Sequence, residues 1–333
     1  MIEIEKLVKK FGDFTAVNNL SFHVDSGQVM GFLGPNGAGK STTMKMLTGF
    51  LRPTSGTARI CGLDICSDTR AAQTRFGYLP EGAPAWPDMT PRHFLEFITS
   101  IRGLDKYAAR KARDRAIAMT ELHGVLDQPI DTLSKGFRRR VGLAQAMVHD
   151  PDVLIMDEPT DGLDPNQKFQ VRRAIEEMAA DKAIIISTHI LEEVDAICTR
   201  AMIIDRGAIV AEGTPSQLAA QSRFHGAVTL TVAEAAMGAA QTALASLKRV
   251  TIEMTARGDE VSLHVFSQKD GPEPPALLAD IRSLVAAHDI EARNLALEGG
   301  RLDDLFGTLT GKPRPHGQGV HTAGLSSTDG ETV

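Results

Sequence analysis

Short, wholly apolar runs separated by amphipathic helical segments dominate the first two thirds of the chain. Three such runs lie at residues 29–33, 153–156 and 183–186. Strands that are apolar on both faces are typical of a parallel sheet covered by helices. Residues 1–30 differ, because apolar and polar positions alternate there and so predict an antiparallel β portion beside that sheet. The pattern predicts an α/β fold.

Helical patterns alone fill residues 83–150. Thr90 and Pro91 are typical of an N-cap followed by the first helical position. A second helix is predicted over 107–122, and a third over 133–147, ended by Pro151. We interpret 83–150 as a helical subdomain of a domain that spans 1–222. Residues 52–80 are interpreted as turns that lead into one strand, which ends at Pro80.

After residue 222 the composition and the pattern change. The predicted order is strand, helix, two strands, helix and strand, at residues 228–232, 233–247, 250–254, 261–266, 274–288 and 290–297. This βαββαβ order is that of the ferredoxin-like split unit, so 223–310 is predicted to be a smaller α+β domain. The tail 311–333 is rich in Gly, Pro, Ser and Thr, which predicts disorder.

Composition excludes several classes of protein. The 333 residues carry a formal net charge of −6, which does not fit the basic surface of a nucleic-acid-binding protein. The 3 cysteines have no metal-binding or CxxC spacing, so we expect a reducing, cytosolic compartment. No run approaches the roughly 18 apolar residues of a membrane span, and the N-terminus lacks an apolar signal segment. Any membrane role is expected to come through a partner.

The chemistry begins with residues 34–42, which read Gly-Pro-Asn-Gly-Ala-Gly-Lys-Ser-Thr between a predicted strand and a predicted helix. This fits the phosphate-binding P-loop, in which glycines turn backbone N–H groups toward one anion and the helix N-terminus adds its dipole. Lys40 would reach the β- and γ-phosphates of ATP, and Ser41 would ligate Mg²⁺. The alternative is a glycine-rich connection. The candidate nucleotide-binding residues are Gly34, Pro35, Asn36, Gly37, Ala38, Gly39, Lys40, Ser41 and Thr42.

Two further apolar strands end in polar residues that suit nucleotide hydrolysis. Asp157 and Glu158 follow the strand 153–156, at the edge of the sheet where ligands bind. We predict that Asp157 holds Mg²⁺ and that Glu158 polarises the attacking water. His189 follows the strand 183–186 and is predicted to contact the γ-phosphate. The alternatives are an ordinary acidic strand end and a surface histidine.

An aromatic side chain ahead of the P-loop is expected to stack on the adenine. Phe11 is the favoured candidate, Phe14 is its rival, and a core position at a strand edge is the alternative for Phe11.

Taken together, these residues resemble the nucleotide-binding subunits of ABC transporters. The Walker A motif is 34–42, the signature is 133–137, the Walker B motif is 153–158, the D-loop is 162–164 and the switch histidine is His189. The sequences of residues 79–81, 133–137 and 160–167 resemble those of the ABC-2-type exporter branch, which includes gliding-motility and drug-export ATPases.

The resemblance implies an ABC-type P-loop domain that binds and hydrolyses ATP with Mg²⁺. It also implies a dimer, with the same chain or a related one, in which ATP lies between Walker A of one subunit and the signature of the other. Ser134, Gly136 and Asp164 would then contact nucleotide. The implied partner is an integral membrane permease, so the chain would lie at the cytoplasmic face of the membrane and power export. The cargo is not specified by the sequence.

Three residues depart from the family pattern. Glu81 stands where the family has Gln; a carboxylate can ligate Mg²⁺ but cannot donate an amide hydrogen bond. Lys135 replaces a glycine and Phe137 a glutamine in the signature. Lys135 either faces solvent, which we favour, or adds positive charge near the γ-phosphate.

Two other functions stay open. One is a soluble ABC ATPase that acts on nucleic acid or ribosomes, which the single ATPase unit and the acidic charge disfavour. The other is ligand sensing by 223–310, against which we favour dimerisation or packing. The permease is expected to dock around residues 81–94, where Trp86 is either a contact residue or part of a local core.

Overall fold

The computed structural model describes residues 1–83 and 85–311. The chain divides into two compact units, residues 1–215 and 216–333. The boundary predicted from the sequence, at residue 222, lies seven residues after the division at residue 215. Apart from Gly311, the predicted disordered tail lies outside the described residues.

Among the described residues of the first unit, ten strands build two sheets. They are β1 (Ile2–Phe11), β2 (Phe14–Val24), β3 (Val29–Leu33), β4 (Ser55–Ile60), β5 (Leu63–Asp64), β6 (Phe76–Leu79), β7 (Val153–Asp157), β8 (Ala183–Thr188), β9 (Arg200–Asp205) and β10 (Ala208–Gly213). One sheet has the order β10-β9-β3-β8-β7-β6 and the other the order β2-β1-β4-β5.

Helices surround these sheets and fill the connection between β6 and β7. They are α1 (Lys40–Leu47), α2 (Thr69–Arg75), α3 (Pro91–Ile101), α4 (Lys106–Met119), α5 (Lys135–Met147), α6 (Pro165–Ala179) and α7 (Leu191–Ile197), with α8 (Pro215–Ala219) at the junction of the units. As predicted, Thr90 caps α3, since its hydroxyl accepts the N–H of His93 at 3.3 Å, and Pro91 is the first helical residue.

The six-stranded sheet is the core that the apolar runs predicted. Strands β9, β3, β8, β7 and β6 are parallel, and only β10 pairs antiparallel at one edge. Every residue of β3, β7 and β8 is buried. Because β8 lies between β3 and β7, the segments that follow all three strands leave the same edge of the sheet.

The antiparallel sheet contains elements that the sequence-based interpretation missed. It treated residues 52–80 as turns before one strand, but β4 pairs antiparallel with β1, β5 pairs with β4, and α2 follows. Gly56 lies inside β4, within the stretch that the sequence predicts to consist of turns. Its φ is +83°, and a Cβ there would lie 2.2 Å from the carbonyl oxygen of Lys6, so the strand passes too close to β1 for a side chain.

The second unit has an antiparallel sheet with helices on one face. Its elements are β11 (Val228–Ala233), α9 (Met237–Leu244), β12 (Val250–Arg257), β13 (Glu260–Ser267), α10 (Pro274–Ala287), β14 (Ala292–Leu297) and α11 (Leu302–Thr310). The strand order is β12-β13-β11-β14. Alternate residues of β11 and β13, such as Leu230 and Leu263, pack with α9 and α10 in one core. The opposite face is polar and includes His264, whose ring nitrogens contact the hydroxyls of Thr229 at 2.8 Å and Thr255 at 3.0 Å.

Candidate functional site: a nucleotide-binding cleft

A cleft of about 370 Å³ opens at the carboxyl edge of the parallel sheet. It collects residues from the loop between β3 and α1, from the first turn of α1, from the segments that follow β6, β7 and β8, and from β2. The described residues that line it are Phe14, Ala16, Pro35, Asn36, Gly37, Gly39, Lys40, Ser41, Thr42, Glu81, Glu158 and His189. Seven of the nine predicted P-loop residues are in this list; Gly34 and Ala38 lie in the loop behind them.

Glycine is required at two points of the P-loop by close backbone contacts. Gly39 has a φ of +105°, and a Cβ there would lie 2.5 Å from the carbonyl oxygen of Ala16. A Cβ on Gly34 would lie 2.4 Å from the carbonyl oxygen of Ile204. The loop can therefore wrap closely against its neighbours only because these positions carry no side chain.

Lys40 is the first residue of α1, and its ammonium lies inside the curve of the P-loop. Nζ donates to the carbonyl oxygens of Gly34 at 2.6 Å and Pro35 at 3.1 Å. Only 6% of the residue is exposed. A buried cation held beside the N-terminus of a helix makes this loop a strong anion site.

The two carboxylates at the end of β7 have different surroundings. Glu158 lines the cleft, whereas Asp157 is not among the described residues that line it and is only 2% exposed. The Asp157 carboxylate accepts a hydrogen bond from the Ser187 hydroxyl. Glu158 has a φ of +51°, a conformation that non-glycine residues rarely adopt. Its N–H donates to both the carbonyl and the hydroxyl oxygen of Ser187, each at 3.1 Å.

His189 is brought to the same carboxylate. Its Nδ1 lies 3.0 Å from Oε1 of Glu158, and both side chains line the cleft. Thr188, the residue before His189, donates its hydroxyl to the Glu193 carboxylate at 2.7 Å. The hydroxyl of Thr160 donates to the same carboxylate. Burial raises the pKa of Glu193. Helix α7 thus fixes the loops that carry Glu158 and His189.

Two of the three predicted metal ligands line the cleft, and the third does not. Ser41 and Glu81 line the cleft with Glu158, and Asp157 lies behind its wall. Among the described residues no group of three or more His, Cys, Asp and Glu side chains is arranged to hold a metal. The hydroxyl and carboxylate oxygens at the cleft nevertheless suit Mg²⁺, which proteins usually hold with one or two side chains while substrate phosphates and water complete the shell.

The aromatic candidates are neighbours, but only the rival lies in the cleft. Phe14 lines it, and Phe11 is not among the described lining residues. The two are cross-strand partners at the end of the β1–β2 hairpin. The ammonium of Lys9 lies 5.0 Å from the centre of the Phe11 ring.

The signature residues lie at the N-terminus of α5 and are not among the described residues that line the cleft, although Lys135 lines a second pocket that shares Glu81 and Glu158 with it. The hydroxyl of Ser134 accepts the N–H of Phe137 at 3.3 Å and so caps the helix. Asp164 likewise caps α6 by accepting the N–H of Gln167 at 2.9 Å. A Cβ on Gly136 would lie 2.3 Å from Oε1 of Gln167, so these two helix ends are adjacent.

Lys135 projects toward the D-loop. Its Nζ lies 2.8 Å from the carboxylate of Asp161, although 61% of the lysine side chain is exposed. The hydrogen bond from Lys135 lowers the pKa of Asp161. The favoured solvent-facing position of Lys135 is thus combined with an ion pair that the sequence did not suggest.

Comparison with known proteins decides the family. The family model described as ABC transporter matches residues 17–161. Over 313 residues the chain is 34% identical to the Nod factor export ATP-binding protein I of Ralstonia nicotianae, covering 94% of each chain. The chain belongs to the ABC transporter family, as one of its ATP-binding subunits. It binds ATP and hydrolyses it to drive transport.

Solved structures agree with this assignment. A structure titled as the ATP-binding subunit of an ABC transporter matches with a TM-score of 0.62 and 27% identity, over 66% of this chain and 92% of that one. A dimeric bacterial ABC transporter cassette matches with a TM-score of 0.60 over 65% of this chain and 99% of that one. At 21% identity, the second likeness shows the fold alone.

None of the described helices has the length and apolar content that a membrane crossing requires.

Two residues that contact the site were missed by sequence reasoning. Ser187 bonds to both Asp157 and Glu158, and it could have been found, because it directly follows the predicted strand 183–186, as Asp157 follows the strand 153–156. Arg139 donates to the backbone carbonyls of Asp157 and Glu158 from helix α5. No spacing rule points to it, since its role depends on how α5 packs against the sheet.

Proposed function

We propose that this chain is the ATP-driven motor of an ABC-2-type exporter and acts from the cytoplasmic face of the membrane on a separate permease. The observation that carries the catalytic part is the Glu158–His189 pair, which faces the P-loop across one cleft. The relative from Ralstonia nicotianae, named as an export protein and alike over almost the whole chain, supports export. The cargo of this chain is left open.

Each cleft residue has a separate role in this proposal. Lys40 and the P-loop amides bind the β- and γ-phosphates. Glu158 accepts a proton from the attacking water, and His189 contacts the γ-phosphate and holds the Glu158 carboxylate in place. Ser41, Asp157 and Glu81 are the proposed ligands of Mg²⁺, directly or through water; the metal would neutralise phosphate charge.

The aromatic end of the β1–β2 hairpin is the proposed platform for adenine. Phe14 forms part of the cleft wall, and Phe11 pairs with it across the two strands. Both rings are exposed, at 63% and 49%, and a stacked base would cover apolar surface there.

Two copies of the chain are proposed to close two ATP sites. Ser134, Gly136 and Asp164 lie at helix N-termini outside the described wall of the chain's own cleft. A helix N-terminus attracts phosphate, so a second copy could present this surface to the nucleotide. ATP would then join the two subunits, and hydrolysis would separate them.

The domain assignment follows the same proposal. Residues 1–222 form the ABC domain, with the helical subdomain at 83–150, and 223–310 form the accessory domain. Because the strand order β12-β13-β11-β14 accompanies a βαββαβ chain order, we assign the accessory domain to the ferredoxin-like class. Its proposed role is dimerisation or packing.

The permease is proposed to dock on the segment between Glu81 and Phe94. Trp86 is 53% exposed, and its ring makes edge contacts with Phe94 at 5.8 Å and Phe97 at 4.9 Å. A half-exposed Trp on an aromatic base is a typical contact residue. In cell fractions that contain the permease, the wild-type chain should sediment with membranes, and Trp86→Ala should move it to the supernatant.

The decisive test is Glu158→Gln, with the exposed Glu192→Gln as its matched control. Loss of the general base should lower the ATPase rate by about 100-fold or more, while ATP-dependent dimerisation in gel filtration persists. Glu192→Gln should hydrolyse ATP at the wild-type rate. Undiminished hydrolysis by Glu158→Gln would contradict the proposed mechanism.

A further inference from the structure

A buried arginine connects three segments around the proposed catalytic carboxylate. Arg139 is 5% exposed, and within the part of the chain that the structure describes its hydrogen bonds all go to backbone carbonyls. Its Nε donates to Pro159 at 3.2 Å and its Nη1 to Pro80 at 3.0 Å. Its Nη2 donates to the carbonyls of Asp157 and Glu158. One side chain therefore contacts the end of β6, the end of β7 and the turn after it.

Only a guanidinium meets these acceptors at once. Its donors lie in one rigid plane, whereas a lysine ammonium is a single point and a glutamine amide has two N–H groups. Burial lowers the pKa of Arg139, and the nearby Asp157 carboxylate partly offsets that effect. Carbonyls left without donors in a buried site would cost free energy, so the arginine does more than fill space.

The helix that carries Arg139 lies in direct backbone contact with β6. A Cβ on Gly77 would lie 1.8 Å from the carbonyl oxygen of Ala146, and a Cβ on Gly142 would lie 2.7 Å from Cβ of Ala83. Gln145 also donates to the Tyr78 carbonyl at 2.7 Å. Because α5 approaches this closely, it cannot shift without moving β6 and the Pro80 carbonyl that follows it.

The backbone of Glu158 is held from both sides. Its N–H is bonded to Ser187, and its carbonyl accepts from Arg139. A residue with a φ of +51° keeps that conformation only where its surroundings enforce it. These contacts would place the carboxylate at the nucleotide cleft.

We propose that Arg139 is a positioning residue for Glu158, which links the proposed catalytic carboxylate to the signature helix and to the Glu81 loop. The inference rests on the proposed roles of Glu158 and the signature. Arg139 lies on α5, the helix that Ser134 caps. When the nucleotide of a second copy binds through its phosphate at the N-terminus of α5, it exerts a force on the helix that holds Glu158. Contact with the partner's nucleotide and readiness to hydrolyse are thereby coupled.

The test compares Arg139→Gln and the milder Arg139→Lys with Arg140→Gln in the full-length chain. Arg140 is also buried, at 7% exposed, but its side chain contacts Glu121, Gln170 and the Phe137 ring and makes no hydrogen bond to the described backbone around Glu158. Misplacing a catalytic group by about 1 Å can cost about 100-fold in rate. We expect kcat to fall at least about tenfold in both Arg139 variants, with KM for ATP changed by less than about threefold. Arg140→Gln should keep kcat.

The outcomes separate this inference from the proposed function. If Glu158→Gln abolishes hydrolysis while Arg139→Lys and Arg139→Gln keep the wild-type kcat, the positioning role is wrong and the proposed function stands. A raised KM at unchanged kcat also overturns the positioning role. If Glu158→Gln hydrolyses ATP normally, the proposed function itself fails. Should Arg139→Gln not fold, the same comparison of kcat and KM is made with Arg139→Lys.

Discussion

Ser187 offers the sharpest local test of how the site is held together. It lies on β8 directly opposite Asp157 of β7, and it is fully buried. Its hydroxyl donates to the Asp157 carboxylate and accepts the N–H of Glu158 at 3.1 Å. Ser187→Ala removes both bonds with almost no change in volume.

The expected cost follows from those two bonds. A hydrogen bond to a charged group contributes about 1.5–3 kcal/mol, and the Asp157 carboxylate would lose this donor in a buried place. The N–H of Glu158 keeps the Ser187 carbonyl oxygen at 3.1 Å, so that bond adds little. We expect the free energy of unfolding of the first unit to fall by about 2 kcal/mol. A displaced Glu158 should also lower kcat by about tenfold.

Urea unfolding and steady-state ATPase assays measure these effects. Ser222→Ala is the matched control, since Ser222 is 6% exposed in the second unit and its hydroxyl accepts the N–H of Arg301 at 2.8 Å. The control should cost about 1 kcal/mol and leave kcat unchanged. The reasoning is refuted if Ser187→Ala unfolds at the wild-type urea concentration and keeps the wild-type kcat.

Three more predictions concern the core, the second unit and the base platform. A Cβ on Gly31 would lie 2.7 Å from Sγ of Cys198. Gly31→Ala should therefore lower the free energy of unfolding, measured in urea, by about 1–3 kcal/mol. The double variant with Cys198→Ala should recover most of that loss. Burial lowers the pKa of His264 from 6.5 to about 4, so below pH 6.5 the unfolded chain binds a proton that the folded chain does not. The free energy of unfolding should therefore be highest above pH 6.5 and fall by up to about 3 kcal/mol as the pH drops from 6.5 to 4. In denaturation series at several pH values, His264→Gln should flatten this dependence, and an unchanged slope would contradict the reasoning. Phe14→Ala should weaken ATP binding about tenfold but inorganic triphosphate binding hardly at all in calorimetry, and Phe11→Ala should have a smaller effect on ATP; equal losses for both ligands would exclude base stacking.

The sequence predicted best what is local. The P-loop, its strand and its helix are contiguous, so one stretch contains both the motif and its context. Glu158 and His189 were each predicted to be site residues because each follows an apolar strand. The structure places His189 Nδ1 3.0 Å from the Glu158 carboxylate.

What depends on packing between distant segments could not be predicted. Arg139 reads as one of three consecutive arginines after the signature, and only the closeness of α5 and β6 buries it against carbonyls. Gly56 reads as a turn residue, although it lets β4 run alongside β1. The choice between Phe11 and Phe14 likewise depended on the shape of the hairpin.

The central claim is that each ATP site is completed by a second copy of the chain, and mixing two inactive variants tests it most directly. Glu158→Gln lacks the base and Ser134→Ala lacks the signature hydroxyl, so a mixed dimer would contain one fully intact site and one doubly defective site. Random mixing of equal amounts should restore about a quarter of the wild-type ATPase rate, because half of the dimers carry one good site of two. If the mixture is no more active than the two variants alone, or if Ser134→Ala alone is fully active, the composite site is contradicted.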